Sequence, residues 1–214
     1  MKIYKNNGFT LSETLITLSI VGVLALIVVP GLIKDTMNRA TISMVKSAVT
    51  NISDAINNEL VKTRAISILE TDIYLDPVKF LKTLDVKNTE SSNSLFPSKY
   101  KSINGTIADT PEMDASASLK NGVTFGIIKN ETGNSQMYID TNGKKGPNIY
   151  GVDCFIVTII NKNNDATGDH IGDVGCSAAD ETDLATCKED GSTCFCALER
   201  SGYDHRYLEL TDIY

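Results

Sequence analysis

A single acidic residue at the edge of a long apolar run is the first feature of this sequence that could do chemistry. Glu13 comes just before residues 15–33, nineteen positions without a charged side chain. If this run lies in hydrocarbon, a carboxylate drawn in with it costs roughly 2.5–3.5 kcal/mol, so it needs a partner or a purpose. The plain alternative is that the Glu13 side chain reaches back to the membrane interface and stays hydrated.

The apolar run is long enough to cross a membrane as a helix. Residues 9–30 would extend roughly 33 Å at about 1.5 Å per residue, which matches the thickness of a bilayer core. A secretory signal peptide predicts a shorter run followed by small residues, whereas this run ends in VVPGLIK at residues 28–34. The sequence therefore predicts a retained transmembrane helix.

The residues on the amino-terminal side of Glu13 carry a specific motif. Lys2 and Lys5 form a short basic leader, and GFTLSE at residues 8–13 leads into the apolar run. This arrangement resembles the amino terminus of type IV pilins and of the pseudopilins of type II secretion. The resemblance implies that a dedicated prepilin peptidase cuts between Gly8 and Phe9 and methylates the new amine of Phe9.

The same resemblance gives Glu13 a role in assembly. Cleavage would leave a cationic amine on Phe9, close to the depth of Glu13. When helices of several copies bundle side by side, the amine of one copy can neutralise the Glu13 carboxylate of its neighbour. Because a charge pair in a low dielectric is costly to leave half-made, Glu13 is expected to fix the axial register of the polymer.

The charges around the apolar run predict how the chain lies in the membrane. Lys2 and Lys5 place the leader in the cytoplasm, although Lys34 and Arg39 flank the other end. We expect a single-pass inner-membrane protein with its head outside the cytoplasm, which later enters a cell-surface pilus or a periplasmic pseudopilus. By the resemblance, its partners are other filament subunits, the prepilin peptidase and the inner-membrane assembly machinery.

A helical pattern continues beyond the apolar run in an amphipathic form. Apolar residues recur every three or four positions on one face: Ile42, Val45, Val49, Ile52, Ile56 and Leu60. A single helix over residues 11–62, roughly 78 Å long, is therefore predicted. Pro30 cannot donate to the carbonyl of Leu26 and its ring crowds that turn, so we expect a kink there.

These patterns divide the chain into four parts. They are a leader (1–8), a transmembrane and polymerisation helix (9–33), the amphipathic half of the same helix (34–62) and a head (63–214). In the head, Asp76-Pro77 predicts the start of a short helix that ends near Leu84, and residues 87–118 are interpreted as a long loop. Strands are predicted at 123–128, 136–140 and 153–160, the first two as a hairpin. A helix followed by an antiparallel sheet predicts an α+β fold.

The five cysteines all lie in the part expected outside the cytoplasm, where disulfides persist. They are Cys154, Cys176, Cys187, Cys194 and Cys196. Their number alone allows fifteen arrangements with two bridges. Type IV pilins often close a carboxy-terminal loop with a disulfide, and by that resemblance we expect Cys187–Cys196 or Cys176–Cys194. The alternative is a zinc site made of Cys187, Cys194, Cys196 and His205, but its spacing matches no common zinc finger.

The segment from 140 to 153 contains oxygen ligands that a cation could use. Asp140, Asn142 and Asp153 are the candidates. The favoured interpretation is a turn held by Asx side chains and glycines, and a structural calcium site is the weaker one. No other cofactor or metal is expected.

Net charge and motifs narrow the classes of function. Residues 1–50 carry a net charge of +3 and the rest of the chain carries −10, so nucleic-acid binding is not expected. The sequence contains no phosphate loop or nucleophile elbow, and no persuasive catalytic pair, so we do not expect an enzyme. The sequence predicts a structural subunit of a type IV pilus-like filament. The alternatives are a pseudopilin of a type II secretion system and a minor tip subunit that acts as an adhesin.

Overall fold

The computed structural model describes residues 10–130, 134–160, 174–175, 183–204 and 206. Its longest element is helix α1, Leu11–Thr63, so the predicted helix over 11–62 is confirmed. The chain divides into two compact units, Met1–Arg39 and Ala40–Tyr214.

In the first unit, α1 exposes its large apolar side chains. From Leu11 to Ile33 their exposed fractions run from 46% to 79%, and α1 is long and apolar enough to cross a membrane. Apolar surface of this extent needs lipid or other protein around it. The helix is continuous through Pro30, and the kink at that residue stays a prediction.

Within the residues described, the second unit contains eight strands. They are β1 (Val86–Glu90), β2 (Lys99–Lys101), β3 (Ile107–Asp109), β4 (Ala115–Leu119), β5 (Thr124–Ile128), β6 (Ser135–Asp140), β7 (Cys154–Ile159) and β8 (Val174–Gly175). Six of them form one antiparallel sheet in the order β1-β4-β5-β6-β7-β8, and β2 and β3 form a separate hairpin. The α+β prediction is confirmed, as are the strands predicted at 123–128, 136–140 and 153–160.

The main core lies between the amphipathic half of α1 and one face of the sheet. Val45, Ile52 and Ile56 are completely buried, in the same apolar cluster as Phe125 and Phe155 of the sheet. The opposite face carries a second cluster, which includes Phe96, Tyr100, Tyr138, Tyr150 and Cys154. Neighbouring residues of β6 divide between the clusters because successive strand side chains point to opposite faces.

Short helices connect and close the head. A 3-10 turn (Ile68–Glu70) leads to α2 (Asp72–Leu75) and α3 (Pro77–Leu81), and α4 (Asp183–Asp190) and α5 (Cys194–Arg200) follow the sheet. The Asp76 carboxylate caps α3 by accepting a hydrogen bond from the Lys79 amide at 3.1 Å. The predicted helix start is therefore confirmed, but α3 ends three residues before Leu84.

The interpretation of residues 87–118 as a long loop is wrong. This stretch contains β2, β3 and most of β1 and β4. β1 is polar and largely exposed, whereas β4 alternates alanine and serine, and its Ala115, Ser116 and Ala117 are fully buried. β4 carries none of the β-branched or aromatic residues by which strands are recognised, and β1 carries only Val86 and Thr89 among charged and polar neighbours.

Candidate functional site

The start of α1 is a reciprocal cap between Thr10 and Glu13. The Glu13 Oε2 atom accepts hydrogen bonds from the amide and the hydroxyl of Thr10, each at 2.8 Å. The Glu13 amide donates to the Thr10 hydroxyl at 3.3 Å. This is the capping box of a threonine followed three residues later by a glutamate. The TLSE pattern at residues 10–13 is the sequence signal of this cap, which was not among the predicted features.

The cap gives the two oxygens of the Glu13 carboxylate different roles. Oε2 holds the first turn of the helix, and no hydrogen bond to Oε1 is found within the described part of the chain. Oε1 is therefore available to a group from outside the chain. Gly8 and Phe9 lie outside the described residues, so cleavage and methylation at these positions stay predictions, as does the assembly role of Glu13.

A second cluster lies at the end of β6, where Asp140 is completely buried. Its Oδ1 atom accepts hydrogen bonds from the amides of Asn142 (2.9 Å) and Gly143 (2.6 Å). Its Oδ2 atom accepts a hydrogen bond from the Tyr100 hydroxyl. The carboxylate thus connects the turn after β6 to strand β2, forty residues earlier in the sequence.

Asp153 holds the other end of the same loop. Its Oδ1 atom accepts a hydrogen bond from the Ile149 amide, and its Oδ2 atom accepts one from the Asn148 amide, both at 2.7 Å. The side-chain amide of Asn142 also donates to Oδ2 at 3.3 Å. The structure therefore brings Asp140, Asn142 and Asp153 together, and they hold the loop as the turn interpretation predicts.

All four carboxylate oxygens of Asp140 and Asp153 thus already accept hydrogen bonds. Among the side chains described here, the amide oxygens of Asn142 and Asn148 are buried and accept no hydrogen bond. The weaker alternative, a structural calcium site, stays untested.

Burial shifts the acid–base properties of this cluster. Loss of hydration raises the pKa of Asp140 to about 7, and the nearby charge of Asp153 acts in the same direction. Burial likewise raises the pKa of Asp153, of the Tyr100 hydroxyl and of the Cys154 thiol. Two buried acids therefore lie near each other at the two ends of one loop, and no basic side chain pairs with either of them within the described ranges of the chain.

The disulfides differ from those expected. Cys187 is bonded to Cys194, with their Cα atoms 4.5 Å apart, so neither Cys187–Cys196 nor Cys176–Cys194 is present. The cause is local: α4 and α5 are separated by only residues 191–193, and this short connection brings the two cysteines together. The bridge also uses two of the four residues of the zinc alternative, which is wrong.

The remaining cysteines have different states. Cys154 is a free, buried thiol and is therefore wrong as a disulfide candidate. Cys196 is disulfide-bonded, and it lies on a helix instead of the strand considered from its spacing. Cys176 and His205 lie outside the described residues.

The loop after β6 packs directly on the Cys187–Cys194 disulfide. Gly151 has a φ of +81°, and a Cβ atom there would lie 2.4 Å from the Cys194 Sγ atom and 2.9 Å from its Cβ. Gly151→Ala is therefore expected to lower the free energy of unfolding by about 2–5 kcal/mol, from backbone strain and overpacking together. Denaturant unfolding of the purified protein measures this loss.

Gly122→Ala is the matched control. Gly122 also has a positive φ, +96°, but nothing lies within 4 Å of its added Cβ, so only the strain of about 1–2 kcal/mol is expected. Equal losses for the two variants would show that the loop does not press on the disulfide.

Comparison with known proteins bears on the amino-terminal segment. Residues 3–29 match the family model described as the Prokaryotic N-terminal methylation motif. No curated protein and no solved structure matches the chain. The matched residues include the whole of the GFTLSE segment at 8–13. The chain thus carries, on its apolar amino-terminal helix, the prepilin motif of type IV pilins and pseudopilins, ahead of an α+β head.

Proposed function

We propose that this chain is a structural subunit of a type IV pilus-like filament. It is made as a membrane-anchored precursor, cut between Gly8 and Phe9 by a prepilin peptidase, and methylated on Phe9. The observation that carries the proposal is the methylation motif at residues 3–29. The motif supports a pilin-like or pseudopilin protein, a structural class in which the amino-terminal helix is the part that polymerises.

The apolar surface of α1 supports polymerisation. Large apolar side chains point in every direction around this part of the helix, and all are about half exposed or more. A helix that is apolar all round must be buried, either in a bilayer or in the core of a larger assembly. The precursor satisfies this need in the inner membrane, and the filament satisfies it with the helices of neighbouring copies.

The geometry of Glu13 supports the pairing that aligns these copies. Oε2 is used within its own helix by Thr10, and Oε1 has no hydrogen bond from the described residues. The methylated amine of Phe9 on an adjacent copy is a cationic donor that can approach Oε1 without breaking the cap. A carboxylate held in one orientation loses less entropy when it pairs than a mobile one does.

The state of the cysteines supports a head that lies outside the cytoplasm. The Cys187–Cys194 disulfide and the bonded Cys196 are typical of proteins in an oxidising compartment. The head is therefore expected to reach the periplasm or the cell surface. The prepilin peptidase and the inner-membrane assembly machinery are expected to act on the amino-terminal helix.

Mass spectrometry of the mature amino terminus tests the proposal. Protein purified from its native membrane or from sheared filaments is expected to begin with N-methylphenylalanine at Phe9. Cells that lack the prepilin peptidase provide the control and are expected to retain residues 1–8. An intact Met1 in peptidase-positive cells, or a cut elsewhere, would contradict the proposal.

A further inference from the structure

The head contains a cleft beside the polar face of α1. Its volume is about 470 Å³, within the range of roughly 300–1,000 Å³ found for ligand sites. Its apolar lining comes from Ala55, Leu84 and Leu119, all partly buried. Three carboxylates also line it, those of Asp54, Glu59 and Asp85.

Glu59 is the unusual residue of this cleft. It is only 4% exposed. Its Oε2 atom accepts a hydrogen bond from Lys62 at 3.3 Å. Its Oε1 atom is buried, and no residue that the structure describes donates a hydrogen bond to it, although the Asp72 carboxyl lies nearby. A buried carboxylate oxygen that lacks a donor is destabilising. A group that donates a hydrogen bond and carries positive charge is therefore favoured at this side of the cleft.

The other two carboxylates lie in less restricted surroundings. Asp85 forms an ion pair with Lys120 at 2.5 Å. Asp54 is exposed, and within the described part of the chain it has no ion pair or hydrogen bond. Together with Lys62 and Lys120, the three acids leave a negative balance at the cleft. Carboxylates beside an apolar surface fit a lysine side chain, which packs its methylene stem on the apolar part and its ammonium on the acids.

A pair of unpartnered lysines projects from the loop after β6. Lys144 and Lys145 are both exposed, and neither has a hydrogen bond or ion pair with any residue that the structure describes. The loop around them is held on both sides by the backbone hydrogen bonds to Asp140 and Asp153. The two buried acids thus hold in place a loop tip that carries two positive charges.

We propose that the Lys144–Lys145 loop tip of one copy docks into the cleft of Asp54, Glu59 and Asp85 on a neighbouring copy. The contact rests on the proposed function, because it joins subunits of one filament. In the proposed filament the tip of each copy docks into the next copy along the polymer and not back into the copy that docks into it, so the contact is heterologous. Heterologous contacts generate open helical polymers when the rotation between copies does not close a ring.

Charge reversal of the tip tests the contact. The full-length double variant K144E/K145E, expressed in filament-forming cells, is expected to yield at least about tenfold fewer filaments, because like charges brought together in an interface are strongly unfavourable. Filaments are counted by electron microscopy and weighed after shearing. Subunit level in the membrane fraction and disulfide content show that the variant is made and folded.

Two further variants separate this contact from a general effect of charge. K46E/K188E makes the same change in net charge at two exposed lysines that line neither the cleft nor the loop after β6, and it is expected to assemble within about twofold of wild type. The triple variant K144E/K145E/D54K places a positive charge in the cleft opposite the reversed tip. It is expected to recover most of the lost filaments.

Each outcome decides between the contact and the function on which it rests. Normal filaments from K144E/K145E, an equal loss in K46E/K188E, or no recovery in the triple variant would overturn the contact. If wild-type filaments depend on Glu13 but not on the two lysines, only the contact fails. If the processed wild-type protein forms no filaments at all, the proposed function fails and the contact fails with it.

Discussion

Replacing Glu13 with alanine is expected to abolish filaments while the protein still inserts in the membrane. The variant removes the only acid of the apolar segment, so the Phe9 amine of each neighbour would be buried without a counter-charge. Breaking a buried pair by removing one partner costs about 3–5 kcal/mol, and in a polymer this cost recurs at every interface. Two quantities are measured: the yield of filaments after shearing, and the amount of full-length protein in the membrane fraction.

The capping box allows a sharper version of this experiment. Glu13→Gln keeps a side-chain oxygen that can accept the Thr10 hydrogen bonds, but it carries no charge. Thr10→Ala keeps the charge and removes the hydroxyl from the cap, at a cost of about 1 kcal/mol to the helix. If Glu13 acts by pairing, the glutamine variant fails to assemble and the Thr10 variant assembles. The opposite pattern would reduce Glu13 to a helix cap.

The sequence was sufficient to predict α1 and the α+β class because both depend on periodic patterns. The stripe from Ile42 to Leu60 repeats with helical spacing over five turns, and its members are buried as predicted. β5, β6 and β7 are rich in Phe, Ile, Val and Tyr, and such strands are recognisable from sequence. β4 was missed because its buried residues are small and its pattern contains serine, so its burial depends on what packs against it.

The disulfides and the Asp140 cluster were beyond sequence reasoning for a different reason. The pairing of Cys187 with Cys194 depends on two helices, which the acidic composition of this segment did not indicate. The bond from Tyr100 to Asp140 joins residues forty positions apart, and no local pattern predicts such a contact. The sequence identified Asp140, Asn142 and Asp153 as a group, but only the fold shows that they hold the loop that carries Lys144 and Lys145.

The buried Asp140 predicts a head that becomes less stable as the pH rises toward neutrality. Its pKa is about 7 in the folded protein and about 3.9 in an unfolded chain. The folded state therefore holds the proton more tightly, and its contribution to stability is fully present below about pH 4 and is lost as the pH rises to about 7. That difference in pKa corresponds to about 4 kcal/mol.

Asp140→Asn isolates this contribution, because asparagine resembles the protonated acid and can still accept hydrogen bonds from the Asn142 and Gly143 amides. The variant is expected to match wild type near pH 4 and to exceed its free energy of unfolding by several kcal/mol at pH 8. Urea unfolding of the detergent-solubilised full-length protein measures the free energy of unfolding at each pH. The near-ultraviolet circular dichroism of the tyrosines is the signal. Tyr100 and Tyr150 stack with ring centroids 4.7 Å apart, so this signal reports on the cluster itself.

Groups that titrate elsewhere in the protein do not produce the expected pH-dependent difference in the free energy of unfolding between Asp140→Asn and wild type. The pKa of Asp72 is lowered by its hydrogen bond to Lys79, so its stabilising contribution is lost only in more acidic solution and is common to both proteins. Asp153 has a raised pKa and shifts stability in the same direction as Asp140. Because the two charges repel each other, the difference between variant and wild type includes the relief of this repulsion, which is part of the cost of ionising Asp140. Asp109→Asn, at an exposed side chain, is the control and is expected to leave the pH dependence unchanged. A constant difference between Asp140→Asn and wild type from pH 4 to pH 8 would mean that Asp140 titrates as an ordinary acid and that its burial is relieved in solution.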